Sequence, residues 1–192
     1  MGNPTHFLVN RVGKNLDEAI DLLAQVSNEF MLHWKKNYLT GCNETSEIAI
    51  KNFDFIVNEI LRLRDDLPND SKNYYSREFK RLLKSEVGKV DFDISYKDLI
   101  IFDRSKSGHA KIDEGKAIKQ IQLIKLLNKI KHRCITQINF RIEEGEHILV
   151  MGSDEFGSDP KCIVEFNVKK FCSECQKISN LIKLNSTKDF CI

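Results

Sequence analysis

The sequence predicts an α+β fold that is mainly α: a helical bundle, then a three-stranded antiparallel β-meander and a C-terminal helix. Apolar residues recur at helical spacing through most of the chain up to Arg133. Beyond it the period drops to two, with Ile138, Phe140 and Ile142 alternating against Gln137, Asn139 and Arg141. Helical spacing returns from Lys169 onward. At 192 residues the chain suits a single domain over 1–192, with a helical body at about 15–133 and the meander plus closing helix at about 134–185.

Taken in order, residues 1–14 are a polar lead-in. Asn15 is a good N-cap, and Asp17 and Glu18 follow in the first turn, where carboxylates complement the helix dipole. Leu16, Ile20, Leu23, Ser27, Phe30 and Trp34 make the stripe of this first helix, which fades near Tyr38. Thr40-Gly41 breaks the pattern. A second helix begins at Thr45 or Ser46 and stops before Pro68, completing a helical hairpin. Ser71 is placed to cap a third helix that turns Tyr74, Tyr75, Phe79, Leu82 and Leu83 inward and ends at Gly88. Val90, Phe92 and Ile94 alternate briefly, Ser95 can cap a helix over 96–103, and 104–109 reads as a loop.

Asp113 then caps a long helix running to Arg133. Its stretch 116–133 holds six Lys or Arg and no acid. On a helical wheel Ala117, Ile121, Ile124, Leu127 and Ile130 share a wide apolar face, with Lys125, Lys129 and Arg133 opposite. Three strands follow, around 138–142, 148–151 and 162–168, joined by a turn at 143–146 and a loop at 152–160. The last helix covers 169 to about 184.

Thirty basic against 28 acidic side chains leave a net charge of +2, so any attraction to a polyanion must come from a local patch. No run of about 18 apolar residues suggests a membrane span, and no charged-then-apolar leader is seen. Six cysteines scattered through helix and strand patterns read as reduced thiols, which points to the cytoplasm. The pair Cys172/Cys175 stands alone, without the second pair or histidines of a structural zinc site, so no metal or other cofactor is expected. The chain has no phosphate-binding glycine loop, no HExxH and no GxSxG.

Asn128 and His132, one helical turn apart, are the sharpest constellation. Histidine titrates near neutral pH and serves as general acid or base, and an amide one turn away can orient it or a phosphate. The same pair also suits a core role: a histidine in the last turn of a helix complements the dipole, and a buried asparagine satisfies a backbone group. The stretch 127–132 resembles the motif region of HEPN-like domains, helical bundles that are often dimeric and often metal-independent ribonucleases. Asn128 and His132 match the family's polar residue and histidine. Leu127 stands where the family has its phosphate-stabilising arginine.

The resemblance therefore implies an interaction or RNA-binding module without strong catalysis, with a homodimer and RNA or a protein as partners. Lys125, Lys129, Lys131, Arg133 and Arg141 would supply phosphate contacts. One alternative is a metal-independent ribonuclease using His132, with Asn128 positioning it. Another is a purely structural or oligomerisation protein.

Overall fold

The computed structural model of the protein describes residues 12–68, 73–113, 118–153 and 161–188. Helices α1 (Val12–Lys35) and α2 (Leu39–Asp65) form the expected hairpin, turned by Asn37 at φ 55°, a left-handed conformation that asparagine tolerates. Two boundaries differ from the sequence reading. Helix α1 begins before Asn15, so Asp17 lies beyond its first turn; its carboxylate receives Gln176, Ser179 and Lys183 from the last helix instead. Helix α2 takes in Thr40 and Gly41, because only glycine fits where a Cβ would come within 2.5 Å of the Tyr38 ring. Thr45 and Ser46, where the helix is expected to begin, lie inside it and donate their hydroxyls back to the carbonyls of Gly41 and Cys42.

Helix α3 (Tyr74–Leu82) is capped by Asn73, whose side chain accepts from the Ser76 amide; Ser71 lies outside the described residues. Strand β1 (Glu86–Asp91) follows, then α4 (Tyr96–Asp103), opened by a reciprocal Ser95–Asp98 capping box. Next come β2 (Lys119–Gln122), α5 (Leu123–Lys131), β3 (Arg133–Glu143), β4 (Glu146–Ser153), β5 (Cys162–Asn167) and α6 (Val168–Lys188).

The sheet overturns the expected three-stranded meander. It has five antiparallel strands in the order β2-β1-β5-β4-β3, and the two extra strands come from within the expected helical body. The long helix expected over 113–133 is likewise corrected. Residues 119–122 pair with β1, and only nine residues, 123–131, are helical. The reason is local. Ile118, Ile121 and Ile124 are three apart and satisfy a helical wheel, yet Ile121 alone is buried from β2. The carbonyls of Ser85 and Leu83 take the amides of Leu123 and Ile124, which starts α5 there.

One face of the sheet packs on α1, α2, α3, α5 and α6 in the main core, through Val87, Val90, Met151, Cys162, Val164 and Phe166. On the other face Val150 and Ile163 lie under Phe102, Ala110 and Ile112. That cover is fastened by Glu165, which pairs with Arg141 at 2.8 Å and accepts the Ile112 amide at 3.2 Å. No helix among the described residues is long and apolar enough to cross a membrane.

Candidate functional site

A cavity of about 490 Å³ lies between the α1–α2 hairpin and the β3–β4 half of the sheet. The apolar stripe of α1 supplies Leu23, Val26, Phe30 and Trp34; α2 supplies Cys42, Ala49 and Phe53; Phe140, Leu149 and Met151 face them from the strands. Phe140 presents its edge to both Phe30 and Trp34, with centroids 4.8 Å apart in each case. Leu39, Ile50 and Ile138 line the cavity although each is exposed, and so do Asn43 and Ser107, so its mouth mixes apolar and polar side chains.

Two polar pairs interrupt this wall. Arg133, at the start of β3, donates through Nη1 to Asp54 Oδ1 at 2.7 Å and to the Ile130 carbonyl at 2.9 Å. Deeper in, Ser27 Oγ lies 2.9 Å from His147 Nδ1. The His147 ring stacks parallel on Phe30 at 4.9 Å and is 9% exposed. Burial away from water pushes its imidazole down to about 4, so the ring is neutral at physiological pH. Its Nε2 is shielded from solvent and has no hydrogen-bond partner among the described residues. On the far side the same ring borders a second, smaller cavity of about 320 Å³ with Asn28, Glu146 and Lys169.

The residues expected to act are dispersed. Asn128 lies on α5 and His132 is its C-terminal cap; the bond joining them is the backbone one, His132 N to Asn128 O at 3.1 Å. Burial lowers the His132 imidazole, and the charges of Lys131 and Lys129 lower it further. The basic face does not assemble either, because α5 ends at Lys131 and the wheel does not extend to Arg133. Lys129 is buried, its Nζ 6.0 Å from the Phe92 ring centroid. Arg133 is held by Asp54, and Arg141 by Glu165 and Glu143 across the sheet from the hairpin. Lys125 and Lys131 remain exposed.

His147, the second residue of β4, escaped the sequence reading because it falls between the turn expected at 143–146 and the strand expected at 148–151, with no recognisable motif. A signal did exist on α1: Ser27 occupies a position of the buried apolar stripe, and a hydroxyl there calls for a partner.

The fold and site together define an α+β domain whose helical hairpin encloses an apolar cavity against an antiparallel sheet. No family model, no curated protein and no solved structure matches the chain.

Proposed function

We propose that the protein is a binding module for a small, mainly apolar molecule seated in the cavity between the hairpin and the sheet. The observation that carries this reading is the cavity itself. Protein interiors pack as densely as organic crystals, and large voids in them are rare. This one, at about 490 Å³, is roughly three times the ~150 Å³ that accommodates benzene, and falls within the ordinary range of ligand sites. Its aromatic wall suits a ligand about two rings in size. A cytoplasmic setting is supported by Cys42, Cys134, Cys172 and Cys175, thiols that form no disulfide.

Trp34 is the only tryptophan in the chain and lines the cavity, so occupancy is read from its emission. Titration with 1-anilinonaphthalene-8-sulfonate is expected to quench Trp34 saturably. Ala49→Phe, which fills the cavity from α2, is expected to abolish that quenching while keeping or raising the melting temperature. Probe binding that is unchanged in the filled variant, or that leaves Trp34 undisturbed, removes the cavity as the site.

The HEPN-like RNA-binding reading retains Lys125 and Lys131 as exposed phosphate contacts, and its nuclease alternative retains His132. Neither draws support from a cleft that gathers those residues.

A further inference from the structure

Arg133 says more about the ligand than the cavity's volume does. Arginine carries its N–H donors in a rigid planar fork and stays charged throughout the physiological range. Nη1 uses both of its protons, on Asp54 Oδ1 at 2.7 Å and on the Ile130 carbonyl at 2.9 Å. The other edge, Nε with Nη2, donates to nothing among the described residues, and neither nitrogen is sealed from water. Such an edge presents two parallel donors, the arrangement that grips both oxygens of a carboxylate.

The guanidinium stands at one cavity only. Arg133 lines the main cavity and not the smaller one. Its anchors belong to the same wall, since Ile130 lines the cavity and Asp54 follows Phe53, which does too. The Arg133 side chain is 12% exposed, so little of it faces open solvent. Among the described residues it is the one formal charge in that lining, and Asp54 is not part of it. The cavity therefore meets the cation without its counterion. We infer that the ligand is an apolar carboxylate, its body against Phe30, Trp34 and Phe140 and its two oxygens on the Nε–Nη2 edge of Arg133. The inference rests on the cavity being the binding site. Asp54 keeps its bond to Nη1 and holds the arginine in place; its side chain is 48% exposed, so water weakens its repulsion of the incoming anion.

The test compares 2-naphthoate with 2-acetylnaphthalene, a neutral ketone of nearly the same shape, by calorimetry on the full chain at neutral pH. The carboxylate is expected to bind about tenfold more tightly, the ratio that about 1.4 kcal/mol gives. Arg133→Met, which keeps the apolar stem, is expected to erase that preference and leave the ketone bound. Arg133→Lys keeps the charge without the fork and is expected to retain only part of it. Asp54→Asn removes the neighbouring negative charge at a half-exposed position. It is expected to widen the preference about threefold, the scale of such a charge pair, without moving the ketone.

Naphthoate that binds no more tightly than the ketone in the wild type, or a preference that survives in Arg133→Met, overturns the inference and leaves the cavity reading standing. Should Arg133→Met fail to fold, Asp54→Asn decides, and a preference that is unchanged or smaller there overturns it. Failure of both compounds to bind, with Trp34 unmoved, overturns the cavity reading itself and the inference with it.

Discussion

At the scale of single residues, the buried histidine makes stability depend on pH. His147 titrates near 6.5 when unfolded and is pushed down to about 4 in the fold. Above 6.5 both states are neutral and the group contributes nothing. As pH falls from 6.5 to 4 the unfolded chain takes up a proton that the folded one refuses, and stability drops; below 4 the loss levels off. The full loss is on the order of 3 kcal/mol, since each tenfold weakening of proton binding is worth about 1.4 kcal/mol. Urea unfolding across pH 7 to 4 is expected to show this slope in the wild type and a flatter one in His147→Phe. An equal slope in both would mean that the ring is not buried as a neutral group. This residue was half-legible in the sequence, since Ser27 marked the buried stripe as polar at one position. Its partner lies 120 residues away, and no local pattern reveals such a pairing.

At the scale of elements, α5 shows where periodicity misleads. Its buried residues Leu123, Leu126, Leu127 and Ile130 were readable as helical, but the isoleucines ahead of them fit a strand and a helix equally well. Pairing with β1 decided the matter, and that pairing is a tertiary event. The shortened helix changes how its lysines must be tested. Lys129→Glu places a carboxylate in a buried position and is expected to cost more than about 3 kcal/mol, seen as a large fall in melting temperature. Lys125→Glu with Lys131→Glu alters exposed sites and is expected to leave the melting temperature within about 2–4 °C. RNA affinity that falls in this folded double variant, and falls steeply with added salt, would revive the phosphate-binding reading. The hairpin α1–α2, the capped α4 and the closing α6 were legible because each carries its own amphipathic stripe or cap.

At the scale of the whole molecule, an ion pair helps fasten the cover on the second face of the sheet. Burial alone would raise the Glu165 carboxyl, but the Arg141 guanidinium and the Ile112 amide outweigh that and hold it below its usual range. Glu165→Gln leaves the Arg141 charge partly buried, with Glu143 as its remaining carboxylate among the described residues. The expected cost is about 2–4 kcal/mol, measured as a lower urea midpoint. Replacing both partners, Arg141→Met with Glu165→Leu, is expected to recover most of it; a double variant as unstable as the single one would show that the pair's own attraction stabilises the fold. None of this was legible in the sequence, since β5 reads as an ordinary alternating strand and Arg141 as a phosphate contact.

The strand order also has a consequence in time. The central strand, β5, is the last to leave the ribosome: residues 162–167 must emerge before β1, at 86–91, can find one of its neighbours and β4 the other. Until then the sheet exists as two separate pairs, β1–β2 and β3–β4, each with an open edge on the side where β5 will insert. Pairing at such sequence separation is slow to nucleate. The nascent chain must therefore keep those edges from other strands longer than a sheet assembled in sequence order would, and this interval is when the protein is most prone to aggregate.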